Sequence, residues 1–281
     1  MDIMKDKIVI ITGPTSGFGK EIAGQLAAMG AEVVLACRDP ERGKRTLDEI
    51  GQRTDATNCL LMKVDTSNQN SIHSFVQHFR ERYPRLDVLI NNAGINRSQR
   101  ETSVDGIELT FATNVLGYYL LTRDLLDLLR ASAPARIINM ASSFASDLDM
   151  TDLQFERRVY DGRKAYAQSK ACNRMLTWAL ARRLNDSGVT ANAVAPGLAI
   201  KTGLYRDAPS SSMAIMRIVG LFFGRSIEQG ADTAVWLASS PDMVGVTNCF
   251  FDSRKEIPCK FRNVEAEEKL WSLCEGLEFN V

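Results

Sequence analysis

Lys7-Ile-Val-Ile-Ile-Thr12-Gly13-Pro-Thr-Ser16-Gly17-Phe18-Gly19 decides the fold of this chain. Its first six residues form a short apolar, β-branched run, the pattern of a buried strand. The glycine-rich turn then opens directly into the helical spacing Ile22, Leu26, Met29. Strand, glycine turn and helix in that order suit a bound dinucleotide. Gly13 allows the tight turn, Gly17 admits backbone to a pyrophosphate, and Gly19 lets the helix lie against the strand. The anion sits at the helix N-terminus beside Ser16 and Phe18.

Outward from this unit, apolar runs alternate with helical ones. Glu32 to Ala36, Cys59 to Lys63, Asp87 to Asn91, Arg136 to Met140, Thr190 to Val194 and Val246 to Phe251 read as further strands. The alternation predicts an α/β protein: a single-domain, doubly wound parallel sheet (a Rossmann fold) of about seven strands with helices on both faces. One domain is expected over residues 1–281, with the core over 7–251 and a C-terminal tail over 252–281. Ligands of such sheets bind beyond the carboxyl ends of the strands, where the winding reverses.

Composition bounds the reading. The chain has 281 residues, 45% hydrophobic and 24% charged, enough for a substantial core. Lys and Arg balance Asp and Glu at a formal net charge of zero, which excludes the basic footprint of a nucleic-acid binder. The six cysteines show no Cys-x-x-Cys spacing and no secretory signal precedes the first strand, so a reduced, cytoplasmic setting is expected. His73 and His78 fall on one amphipathic helix with Phe75, Val76 and Phe79, and read as surface or boundary residues rather than metal ligands.

Two stretches carry chemistry. In Tyr166-Ala-Gln-Ser-Lys170, four residues of helix put a phenol and an ammonium on one face, one turn apart. A free phenol has a pKa near ~10, and a fixed ammonium beside it pulls that value toward neutrality. At the end of the second strand, Ala36-Cys37-Arg38 presents a guanidinium where a carboxylate would chelate the ribose of NAD. Arg38 suits a 2′-phosphate instead, and the expected cofactor is NADPH/NADP+. The alternative for Arg38 is an ion pair with Asp39 or Glu41.

Thr12-Gly13-x-x-x-Gly17-x-Gly19, Asn91-Asn92-Ala93-Gly94, Asn114, Ser142, Tyr166-x-x-x-Lys170 and Pro196-Gly197, in that order, resemble the short-chain dehydrogenase/reductase family from about Lys7 to Phe251. The resemblance implies hydride transfer between a nicotinamide and a carbonyl or alcohol. Ser142 then hydrogen-bonds the substrate oxygen, Tyr166 moves the proton, Lys170 holds the nicotinamide ribose, and Asn114 kinks its helix and connects Lys170 to solvent. Asn92, Ala93, Gly94, Pro196, Gly197 and Thr202 would line the cofactor. Asp65 would contact adenine, or cap a helix starting near Ser67.

Two features depart from the family pattern. The interval from Ser142 to Tyr166 is long, so residues 147–163 read as an insertion and Ser143 competes with Ser142. The Pro196 to Thr202 run is one residue longer than usual.

The insertion, the Ala-Cys-Arg38-Asp39 run and the tail resemble the branch of retinol dehydrogenases and protochlorophyllide reductases. That branch implies NADPH-linked chemistry on a bulky apolar carbonyl or alcohol, contacted by Phe144, Met213 and Met216. The apolar stretch 210–224 is a pocket wall or lid, plain core, an oligomer contact or a membrane-surface contact. It is too short for the ~20 apolar residues of a span. Reduction of an activated carbon–carbon double bond and a non-catalytic NADP(H)-binding regulatory role are the alternatives. Relatives often pair through the helices bearing Asn114 and Tyr166, so a homo-oligomer is open.

Overall fold

The computed structural model describes residues 3–146, 148–197 and 225–278. Thr202, Met213, Met216 and the 210–224 stretch lie outside the described residues. The chain runs β1 (Ile8–Thr12), α1 (Gly17–Ala28), β2 (Glu32–Cys37), α2 (Pro40–Thr54), β3 (Cys59–Lys63), α3 (Gln69–Arg82) and β4 (Val88–Asn91). A helical stretch follows: α4 (Leu109–Phe111), a π-helical turn at Ala112–Leu116, α5 (Gly117–Asp124) and α6 (Leu126–Ala131). The remaining described elements are β5 (Ala135–Met140), α7 (Gly162–Arg183), β6 (Val189–Val194), α8 (Ile227–Ser239), a 3-10 turn (Pro241–Met243), β7 (Phe250–Asp252), β8 (Lys255–Glu256) and α9 (Val264–Gly276).

The eight strands form one sheet in the order β3-β2-β1-β4-β5-β6-β7-β8, parallel except for β8, which runs antiparallel to β7. The winding reverses between β1 and β4. Successive side chains of a strand point to opposite faces, and β1 shows the result. Ile10 packs with α3, α5 and α7, whereas Val9 and Ile11 pack with α1, α2 and α8. Both faces of the sheet are therefore buried, which explains the unbroken apolar runs. Each fully buried Ile contributes about 1.5–3 kcal/mol.

The seventh strand departs from expectation. Val246 to Phe251 was expected to be extended throughout, yet β7 begins only at Phe250 because Asn248 is left-handed, with φ of 65°. Ser253 and Arg254 are also left-handed (φ 51° and 58°), and they turn the chain into β8. Arg254 is held there by an ion pair to Asp232 of α8 and by its N–H donating to Thr233 Oγ1 at 3.1 Å. The C-terminal segment is structured too. Helix α9 buries Glu267, Leu270 and Cys274. It lies across α5 through Tyr119 edge-on to Trp271 at 4.9 Å, and across α7 through Arg182 with Glu267.

Candidate active site

A cleft of about 510 Å³ opens at the carboxyl ends of the strands, at the β1/β4 reversal. Gly13, Ser16, Gly17, Phe18 and Gly19 form one wall. Gly13 has a φ of 64°, and a Cβ there would stand 2.9 Å from Ala93 Cα, so the turn tolerates no side chain. A Cβ on Gly19 would fall 2.4 Å from the Gly13 carbonyl oxygen, which is how α1 comes to lie against the turn. Ser16 precedes α1 in an extended conformation and its side chain makes no capping bond. The first N–H groups of α1 thus remain donors at the cleft wall, the arrangement a pyrophosphate needs.

Asn92, Ala93 and Gly94 line the cleft opposite. The Asn92 amide is spent within the protein: its Nδ2 donates to the carbonyls of Thr12 at 2.8 Å and Gly13 at 3.1 Å. Thr12 Oγ1 accepts from the N–H groups of Asn92 and Ala93, both at 2.9 Å. This strap binds the ends of β1 and β4 together. Sequence reasoning read Thr12 as the end of a strand and the head of the glycine motif, without this strap. Phe18 also has a packing role, because a Cβ on Gly230 of α8 would collide with its ring.

At the far end, Arg38, Asp39, Arg42 and Asp65 surround the entrance. Arg38 Nη1 stands 3.8 Å from Asp65 Oδ2. It is not engaged with Asp39, whose carboxylate caps α2 by accepting from the N–H groups of Glu41 and Arg42. Asp65 does not cap α3 either. Its Oδ1 accepts from Ser67 N and Oγ, while Asn68 caps the helix through Ser71 N. Arg42, three residues after the capping Asp39, was not singled out from sequence, although that position turns toward the cap. Burial, then the charge of Asp39, pushes the Cys37 thiol up, so it is no nucleophile at neutral pH.

The opposite end gathers Ser142, Phe144, Tyr166 and Lys170, with Pro196 and Gly197 beside them. Asp161 starts α7 by accepting from Arg163 N and Lys164 N. The helix then presents Tyr166 and Lys170 one turn apart, as the spacing predicts. Lys170 is buried, its Nζ donates to the Met140 carbonyl at 2.7 Å, and it lies 5.7 Å from the Tyr166 ring centre and 5.5 Å from that of Tyr118. Burial drives its pKa down to about 7. Ser142 Oγ accepts from Phe144 N at 3.1 Å, which leaves its own proton to donate into the cleft. Ser143 is exposed.

Asn114 lies within the π-helical turn, fully buried and bonded to Ile95 and Ser169. A Cβ on Gly94 would lie 3.5 Å from Asn114 Oδ1 and 3.6 Å from Lys170 Nζ, which places both groups behind one point of the cleft wall. The described part of the insertion is ordered against α7. Gln168, between Tyr166 and Lys170, accepts from Asp149 N and donates to the Leu153 carbonyl. Asp152 accepts from Glu156 N and Arg158 N. Burial would raise its pKa, but these bonds and the Arg158 guanidinium hold it at about 2. Asn96 and Arg97, which sequence reasoning passed over, complete this end.

The chain is similar in sequence and fold to known proteins. The family model for short chain dehydrogenases matches residues 7–211. Retinol dehydrogenase 12 of Mus musculus is 37% identical over 278 residues, covering 96% of this chain and 86% of that protein. Retinol dehydrogenase 13 of Homo sapiens is 36% identical over 273 residues, covering 95% and 82%. Among solved structures, the RhlG/NADP active-site complex of Pseudomonas aeruginosa superposes with a TM-score of 0.72 at 27% identity, covering 88% of this chain and 94% of that one. With the family model matching residues 7–211 and retinol dehydrogenases 36–37% identical over 95–96% of its length, the chain belongs to the short-chain dehydrogenase/reductase family, on its retinol dehydrogenase-like branch.

Proposed function

We propose that this protein is an NADP(H)-dependent oxidoreductase acting on the carbonyl or alcohol of a bulky apolar molecule, retinoid-, steroid- or polyketide-like, with Tyr166 as acid and base. The observation that carries the reading is the meeting of Tyr166, the buried Lys170 and Ser142 at one end of a cleft whose other end holds Arg38. Retinol dehydrogenase relatives and a solved NADP complex on the same fold support substrate class and cofactor respectively.

The residues fit the cofactor through the bare turn at Gly13 and the open N–H groups of α1. Arg38 and Arg42 would receive the 2′-phosphate, and Lys170 the nicotinamide ribose. When bound, the reduced nicotinamide supplies the hydride that reaches the carbonyl carbon. Ser142 Oγ donates a hydrogen bond to the carbonyl oxygen, which polarises it before reaction. Tyr166 gives its phenolic proton to that oxygen, and Lys170 stabilises the phenolate left behind. In the oxidative direction Tyr166 takes the proton back.

In this reading residues 1–281 act as one domain in a reduced, cytoplasmic setting, and all six cysteines are free thiols in the structure. Among the described residues no helix is long and apolar enough to cross a membrane. The test is a panel of apolar aldehydes, ketones and enones with NADPH, followed at the nicotinamide absorbance, beside Tyr166→Phe. The variant is expected to lose turnover by about 10²–10⁴-fold while cofactor affinity stays near wild type. Consumption of enones alone, at the double bond, moves the assignment to carbon–carbon reduction. Cofactor binding without turnover of any class points to a regulatory protein.

A further inference from the structure

Arg174 follows Lys170 by one turn, so Tyr166, Lys170 and Arg174 recur every four residues along one face of α7. It is only 5% exposed. Its guanidinium lies over the Phe250 ring at 3.8 Å, with Phe261 at 5.6 Å. Nη2 donates to the backbone carbonyl of Ser142, and Nη1 faces Cys259 Sγ at 3.7 Å. Among the described residues no carboxylate pairs with it, and burial pushes its pKa down. An uncompensated buried cation is costly, and a methionine would fill the space at less expense. A role beyond packing accounts for the guanidinium.

We infer that Arg174 is a positioning residue for the reaction at Ser142: it grips the Ser142 carbonyl, keeps the hydroxyl aimed into the cleft, and anchors that strand end to the β7–β8 hairpin through Phe250. The grip comes from behind. Ser142 Oγ is occupied on its acceptor side by Phe144 N, so the direction of its O–H depends on the backbone that Arg174 fixes. The guanidinium also adds a second positive charge, after Lys170, on the Ser142 side of the site. Neither Phe250 nor Cys259 lines the cleft, so Arg174 acts through Ser142 and not by touching substrate.

The inference rests on the role proposed above for Ser142. The full-length protein is assayed with NADPH and the best carbonyl of the panel. Arg174→Met is expected to lower kcat about tenfold or more with the NADPH KM within about twofold of wild type, and Arg174→Lys to recover part of the loss. Wild-type kcat in Arg174→Met, or a parallel loss of kcat and of NADPH affinity in both variants, overturns it. If Arg174→Met does not fold, Arg174→Lys decides: a lowered kcat at unchanged NADPH KM upholds the inference, and every other result overturns it. Ser142→Ala is measured alongside. Should Ser142→Ala keep full turnover, the role of Ser142 fails and this inference with it. An inactive Ser142→Ala beside a fully active Arg174→Met sinks the inference alone.

Discussion

Asn114 pairs with the backbone of Ile95 in both directions: its Oδ1 accepts from the Ile95 N–H at 2.9 Å and its Nδ2 donates to the Ile95 carbonyl at 3.0 Å. The same Nδ2 reaches Ser169 Oγ at 3.0 Å. One amide thus ties the loop after β4 to the π-helical turn and to α7. Asn114→Ala leaves two backbone groups without their partner, and is expected to cost about 2–4 kcal/mol of stability. Turnover should fall as well, since Lys170 lies on the same wall. Urea denaturation together with kcat checks both; a wild-type midpoint would show that the loop holds itself.

Arg38 gives the second prediction. Its side chain is 65% exposed and its ion pair with Asp65 is long, so that pair is worth about 0–1 kcal/mol and is readily exchanged for a phosphate. Arg38→Ala should raise the NADPH KM about 10–100-fold, the loss of one or two charge-assisted bonds, and leave that for NADH nearly unchanged. Equal effects on the two coenzymes would remove Arg38 from cofactor choice.

The third concerns pH. The folded value of Lys170, about 7, lies below the ~10.4 of an unfolded lysine. Between those values the unfolded chain binds the extra proton, so the contribution of this group to stability rises with pH across that window. The proposed reaction uses the ammonium form of Lys170. Among the described residues the groups facing it are the Met140 carbonyl and the rings of Tyr118 and Tyr166, none of them an acid. For carbonyl reduction, kcat/KM, which reports the free enzyme, should therefore decline as pH rises through about 7. A profile flat to about pH 9 would contradict it.

The fourth tests the insertion. Gln168→Leu removes the acceptor for Asp149 N and the donor to Leu153, and should free the segment around Leu153 and Phe155 for limited proteolysis. The expected loss is about 1–3 kcal/mol, read as a lower Tm. Cleavage no faster than wild type would show that the buried Leu153 and Phe155 suffice.

The legible parts of the sequence were those where one local pattern answers one backbone demand. The turn from Gly13 to Gly19, the alternation of strands and helices that predicts a parallel sheet, and the phenol and amine of α7 are of this kind. The hairpin from Asp252 to Lys255 was not legible. A two-residue turn with both central residues left-handed usually carries Asn-Gly, and here it is Ser253-Arg254, held by Asp232 and Thr233 of α8. The packing role of Asn92 was hidden for a similar reason, because its partners on Thr12 and Gly13 are eighty residues away. Arg174 was not singled out in the sequence; only the fold brings Phe250 and Ser142 to it.

Helix α9 has a consequence for assembly. Gln69 of α3 reaches the Leu277 carbonyl, Arg123 of α5 pairs with Glu278, and Arg183 of α7 stacks on Trp271. The outer ridge of α5 and α7 is thus already occupied by α9 and the two residues after it. Two copies meeting on that side would touch through α9, and a fusion placed directly after it would act on the back of α7, the helix that carries Tyr166 and Lys170.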